Sequence, residues 1–563
     1  MVSDFQDISK SLMDEYLRWD PSFATQVGWH KYDHVLRDPR RIAIARQTER
    51  CSEILRSLKR IDPGSLSREE VIDRDLAIYL FELKRYEMED LRIYEREALA
   101  CEEIGYSLFF LSSRDVPSLD IRLESMTSRI EMIPALLAYS RELVTRPYRV
   151  WNEAAQEVGK EIPGLIKSIQ SLGTPKDPSV ATRLKKATTA AVAAVEEYNN
   201  WISEDVIPSS SDEYAVASHE YASLLEKKCY GVSMDEALMI GETYLKLSRT
   251  KMATIAKRIV PSGVIAEALE KMKSDHPPTF KAALDEYRDS AQKARSYVIE
   301  HDLATLPPNE KLIVTETPQF MRPMFAYAGQ FEPGKFDESR TGFFLVTPDE
   351  TNPGILREHS RAGIVNTTVH EGYPGHHMQG ICSNTHPSYI RILIQSPDFG
   401  EGWGLYVEDM MRASGYSDDD LGKLTILNDM LFRICRLIVE IRLAKGEMTV
   451  AEGADMLAKE CSMDVNASMI EARNCAMTPT YYCSYFLGKL AILQLREDVK
   501  EVLGGRFSLK FFHDALLYTG CLPMPFMRRG VALRLKEQHG LELPPQKETL
   551  YEYAMRIAAR DGP

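Results

Sequence analysis

His370, His376 and His377 bring three of the chain's twelve histidines into the run Asn366-Thr-Thr-Val-His370-Glu371-Gly-Tyr-Pro374-Gly375-His376-His377-Met-Gln379. Imidazole nitrogens are common metal ligands, and a carboxylate directly after the first histidine, Glu371, is placed to take a proton from an activated water. The spacing is the difficulty. Two histidines that share an ion from one helix stand at i and i+4, yet i+4 from His370 is Pro374, which offers no ligand atom. On a regular helix His377 would lie about 10 Å along the axis from His370, and His376 would be turned away by about 120°. Proline and glycine at 374–375 predict a bulge in the helix, which brings either His376 or His377 level with His370.

A third ligand is expected in Phe399-Gly-Glu401-Gly-Trp403-Gly-Leu-Tyr406-Val-Glu408-Asp409, a helix start with Glu401 and Glu408 two turns apart on one face. Glu401 is the expected ligand, with Glu408 or Asp409 behind a ligating ring to fix its tautomer. In several zinc peptidase families a glycine precedes the second ligand. That favours His376 and leaves His377 as a substrate contact or the alternative ligand. His370, His376 and Glu401 with an open fourth position suit Zn2+. With Glu371 as general base the expected reaction is hydrolysis of a peptide bond without a covalent intermediate. Tyr485 is expected to donate a hydrogen bond to the oxyanion, and Tyr481 to meet the substrate. Arg528 and Arg529 offer guanidinium groups for a substrate carboxylate, which points to an oligopeptidase or carboxypeptidase acting on short peptides. Two other readings compete: a zinc-stabilised binding or regulatory protein without turnover, and a zinc amidohydrolase acting on a non-peptide amide. An intact Glu371 speaks against the first.

The motif with Glu401-Gly-Trp403 resembles the signature of the bacterial family catalogued as domain of unknown function 885, commonly regarded as gluzincin-like zinc metallopeptidases. The run Pro21-Ser-Phe-Ala24-Thr25-Gln-Val-Gly28-Trp-His30-Lys-Tyr32-Asp33 is similar to that family's N-terminal block, Gly342-Phe-Phe-Leu-Val346 to a strand before the active helix, and Pro479 through Gly488 to a later block. Thr480-Tyr481 stands where the family usually has Gly-Gln, and Asn474 where it has Arg. The resemblance implies a large, mainly α, zincin-like metallopeptidase with a deep central cleft and a small β-sheet beside the motif helix.

The elements that must position these residues read as helix from residue 4 to about 320, then a short sheet, then helix again. Ser67-Arg-Glu-Glu70, Ser233-Met-Asp-Glu236 and Thr449-Val-Ala-Glu452 are capping boxes that start helices. Lys311-Leu-Ile-Val-Thr-Glu316 and Gly342–Val346 are strand text, and an edge strand beside a metal can pair with an extended peptide. Residues 1–310 are expected to form one cleft wall and 311–563 the catalytic half, in one continuous body. His30 and His34 receive no role. A net charge of −14 argues against nucleic acid as a partner. No apolar run approaches the roughly 18 residues of a membrane span. The start, Met1-Val-Ser-Asp4, lacks a signal-peptide pattern, and nine cysteines in no pairing rhythm suit reduced thiols. The expectation is a cytoplasmic protein whose partner is a peptide substrate; a homodimer is left open.

Overall fold

The computed structural model describes residues 5–114, 116–213, 216–322, 327–348 and 355–560. The helices that position the site are labelled in chain order: α1 (Phe5–Trp19), α2 (Arg68–Tyr86), α3 (Ala100–Ser113), α4 (Phe280–Glu300), α5 (Arg361–Glu371), α6 (His376–Ser383), α7 (Pro397–Ala413), α8 (Asp420–Lys445), α9 (Tyr482–Leu503) and α10 (Met524–His539). The three capping boxes form as the sequence predicts, each serine or threonine accepting from the N3 amide while the glutamate returns to the cap. Helix dominates, and the fold is mainly α.

The small sheet holds β1 (Lys311–Glu316), β2 (Ala328–Phe331) and β3 (Thr341–Val346) in the order β1-β3-β2. β1 runs parallel to β3, with Val314 opposite Phe344, and β2 runs antiparallel, with Gln330 opposite Phe344. The sequence reading gives β1 and β3 but not β2. Ala-Gly-Gln-Phe lacks a β-branched run, and pairing with β3 rather than local preference makes it a strand.

Long-range packing sets the cleft. One apolar core runs from Phe5, Met13 and Leu17 on α1 through Leu76 on α2 to Trp403 on α7 and Val531 on α10. A second joins Trp151, Tyr221 and Ile240 to Leu437 on α8 and Phe486 on α9. Each core therefore draws on both ends of the chain. Helices α7 and α9 cross in close contact: a Cβ at Gly402 would meet the Gly488 carbonyl carbon at 2.5 Å, and one at Gly488 would lie 1.8 Å from the Asp398 oxygen. Only two glycines allow that approach, and it brings Glu401 beside Tyr481 at the start of α9.

Candidate metal centre

Helix α5 ends at Glu371 and α6 begins at His376, so the predicted break falls on Gly372–Gly375. The Tyr373–Pro374 peptide bond is cis. A Cβ at Gly375 would sit 1.8 Å from the His370 carbonyl oxygen, so the turn folds onto the end of α5 too closely for any other residue. Trp403, fully buried on α7, donates from Nε1 to the Pro374 oxygen at 2.9 Å and ties the bulge to the helix that carries Glu401.

The bulge turns His376 toward His370, their ring centroids 4.7 Å apart and perpendicular. Glu401 Oε2 lies 3.3 Å from His376 Nε2 and 3.7 Å from His370 Nε2. One donor atom from each of His370, His376 and Glu401 thus falls within 4.8 Å of the other two. On the far side of its ring, His370 Nδ1 is 2.7 Å from Glu408 Oε1. The fully buried Glu408 also accepts from Asn366 Nδ2 at 3.0 Å, and Asn366 bonds Asp429 at 2.7 Å. The carboxylate fixes the Nδ1–H tautomer and leaves Nε2 as the free lone pair facing Glu401. Gly404 makes room for the ring, since a Cβ there would come within 2.5 Å of His370 Cε1.

Electrostatics follow from the burial. Burial opposes a charge on His370, but the carboxylates of Glu401 and Glu408 outweigh it and hold its pKa up at about 10. Burial likewise disfavours charge on His376, and Glu401 raises it. Against its own burial, Glu401 is held well below the usual carboxylate range by the two imidazoles. A divalent cation could balance the same carboxylates, and the donor set fits such an ion.

Glu401 Oε1 accepts from the Tyr481 hydroxyl at 2.5 Å. Burial and the Glu401 charge push both Tyr481 and Tyr485 above the ordinary phenol range, so both are neutral donors. Tyr485 stacks edge-on to Tyr481 at 5.7 Å and lies against the Arg436 guanidinium at 4.5 Å. The start of α9 is held by Glu440, fully buried, which accepts from the amides of Tyr481 at 3.1 Å and Cys483 at 2.8 Å. Burial pushes the Glu440 carboxyl up to about 7. A cavity of about 320 Å³ opens on this cluster, walled by His376, Glu401, Tyr481 and, from the sheet side, Gln330, Phe331 and Glu332.

Two sequence expectations are corrected. His377, fully buried, points away from the cluster, with Nε2 3.2 Å from Glu310 Oε2. The bulge that brings one imidazole inward necessarily turns its neighbour outward. Glu310 also receives Arg295 of α4 at 2.6 Å and the Tyr373 hydroxyl, so residues on both sides of Pro374 are pinned to one carboxylate. His377, Tyr373 and Arg295 overcome its burial and hold Glu310 down at about 2. Arg528 and Arg529 do not face the cavity: Arg528 pairs with Asp498 at 2.6 Å and Arg529 with Asp75 at 2.8 Å, both bracing α10. Of the two residues named behind the ligating ring, Glu408 takes the place and Asp409 pairs with Lys489. Glu310, Asn366 and Glu440 carry no local signal in sequence; each is a lone polar residue whose partner lies elsewhere in the chain.

The profile of a family described as bacterial protein of unknown function (DUF885) matches residues 21–531. The chain belongs to this family. No curated protein matches it in sequence. Among solved structures it is similar to a "putative lipoprotein" of unknown function from Shewanella oneidensis, with a TM-score of 0.78 and 22% identity over 94% of this chain and 99% of that one. It is similar also to one from Colwellia psychrerythraea, with a TM-score of 0.80 and 17% identity over 96% and 100%. These show the fold. A carboxypeptidase from Pyrococcus furiosus aligns at a TM-score of 0.32 and 12% identity over 92% and 98%, too slight a likeness to argue from. The expected cytoplasmic location is overturned by these two similar structures, each described as a "putative lipoprotein". Among the described residues no helix is long and apolar enough to cross a membrane.

Proposed function

We propose that the protein is a zinc-dependent metallopeptidase that hydrolyses short peptides. The observation that carries this reading is the convergence of His370, His376 and Glu401 on one point, with Glu371 directly after the first of them at the end of α5. A zinc ion held by these three residues would supply Lewis acidity that acidifies a water and polarises a carbonyl. Glu408 keeps the proton of His370 on Nδ1. The Glu371 carboxylate, half-buried and close enough to raise the pKa of both histidines, takes a proton from the attacking water and passes it to the leaving amine nitrogen. Tyr485, a neutral phenol, donates a hydrogen bond to the oxygen on which negative charge develops, and Tyr481 orients Glu401.

The sheet supplies the peptide-holding edge. The Thr347 amide donates to the Tyr327 oxygen at 2.8 Å, and alternation along the ladder then aims the backbone groups of Gly329 and Phe331 at β3 and those of Ala328 and Gln330 outward. Gln330 also walls the cavity, so an extended peptide can add to β2 and lie across the site. The test is a digest of a mixed peptide library by zinc-loaded protein, with Glu371→Gln beside it. The expected result is cleavage by the wild type, and retained zinc with hydrolysis reduced at least about a hundredfold in the variant, the low end of what a general base contributes. Undiminished cleavage by Glu371→Gln would remove that residue from the mechanism.

A further inference from the structure

The cavity at the metal centre adjoins a larger one. A chamber of about 890 Å³ lies between α1, α2 and α3, and Gln26, Phe331, Gln395 and Tyr481 wall both spaces. Its size is that of ligand pockets, which run roughly 300–1,000 Å³. Aromatic rings form part of the lining: Tyr16 and Trp19 of α1 stand 6.4 Å apart, and Tyr106 and Phe110 of α3 stack at 6.1 Å.

The charges in this lining do not cancel. Arg37 pairs with Glu103, and Lys84 stands 3.7 Å from Glu87. Asp38 is held by Arg40, and Asp20 caps the following helix through the Phe23 amide at 2.9 Å. Glu102 is left over. Among the described residues it has neither a hydrogen-bond nor an ion-pair partner; burial raises its pKa, opposed only by the charge of Arg37, which is bonded to Glu103. A half-buried carboxylate without a partner beside aromatic rings offers a cation an opposite charge, and the same ring faces attract the cation directly.

We propose that this chamber is a substrate subsite for a primary ammonium or guanidinium group, held between Glu102 and the aromatic walls while the adjoining peptide crosses the metal centre. In its turnover arm the proposal rests on the peptidase reading. The cation can be a lysine or arginine side chain or the free amino end of the peptide.

The experiment uses octapeptides of neutral residues in which a single lysine is moved along the chain, each with a norleucine twin, and each with the amino end free or acetylated. Zinc-loaded wild type is expected to show kcat/KM roughly tenfold higher for the lysine peptide at one fixed distance from the cleaved bond, about what one desolvated cation–aromatic contact supplies. If acetylation abolishes the preference instead, the cation is the amino end. Glu102→Gln is expected to lose the preference and keep its rate on the norleucine twin. A wild type indifferent to lysine at every position and to acetylation overturns the subsite, whether or not the variant folds. Calorimetric binding of the same twins to zinc-loaded Glu371→Gln separates the two ideas. Tighter binding of the cationic peptide without turnover by wild type supports the chamber and sinks the peptidase reading, and cleavage without any cation preference does the reverse.

Discussion

Glu408→Gln isolates the carboxylate behind His370 and tests whether that ring is a metal ligand. Glutamine keeps the shape of the side chain and removes its charge. In the wild type the two Glu408 oxygens serve two donors, His370 Nδ1 at 2.7 Å and Asn366 Nδ2 at 3.0 Å, with the Arg433 guanidinium 3.9 Å away. An amide has one oxygen and one NH2. One buried N–H must therefore face another donor, and the loss of that bond costs about 1–3 kcal/mol in folding stability. Whichever way the amide turns, His370 loses a charged acceptor, and its Nε2 becomes a weaker and less well-aimed ligand. Removing an outer partner of a ligating histidine weakens metal binding by about 10–100-fold, or ~1.4–2.7 kcal/mol. Zinc affinity is read by competition with a chromophoric chelator, and stability by thermal melting of the metal-free protein. A variant that melts lower but holds zinc within about twofold of wild type would refute the reasoning, because it would show that His370 is aimed by packing alone or is not a ligand.

Other outcomes follow from the same geometry. His376→Ala should abolish zinc binding and, because it strips Glu401 of one of its two imidazoles, lower metal-free stability as well, whereas His377→Leu, which strips the buried Glu310 of a partner, should lower metal-free stability by about 2–4 kcal/mol and leave zinc binding in place; zinc lost in the His377 variant and kept in the His376 variant would exchange the two histidines' roles. Gly404→Ala places a methyl 2.5 Å from His370 Cε1 and should cost about 1–3 kcal/mol together with a loss of zinc affinity, seen by melting and by the chelator assay. His30 is bonded by Asp33 at 2.8 Å and Asp337 at 3.0 Å, which overcome its burial and raise its pKa from 6.5 to about 9. Its folded value lies above its unfolded one, so the stabilisation is complete below pH 6.5 and is lost as the pH rises through about 9. With the side chain 28% exposed, solvent reduces this to about 2 kcal/mol. Denaturant titrations of His30→Gln across pH 6 to 9.5 should show the wild-type slope flattened; parallel curves would exclude His30 as its source.

Local physics made part of this legible in the chain. Ser67-x-x-Glu70 and Ser233-x-x-Glu236 announce their helices because a capping box is satisfied within four residues. The Pro374-Gly375 break is likewise visible, since proline and glycine act on their own turn. Which imidazole the break brings inward depends on Glu310, some sixty residues upstream, which accepts from both His377 and Tyr373. Helical phase put Glu408 rather than Asp409 on the side of Glu401, because one residue is a turn of about 100°. The arginines of α10 looked like carboxylate binders by type, but their partners Asp498 and Asp75 lie in other helices and were invisible to any local reading. Glu102 gave no signal at all, because an unpaired charge is defined by what fails to approach it.

The first apolar core buries Leu17 near the beginning of the chain with Val531 near its end. During synthesis, the floor beneath Glu401 therefore stays unassembled until the helix that carries Val531 has left the ribosome. A half-made chain, or one cut between the sheet and the N-terminal helices, will hold neither metal nor substrate. The hydrolysis proposed above would then depend on this packing, and heat that loosens it should extinguish cleavage.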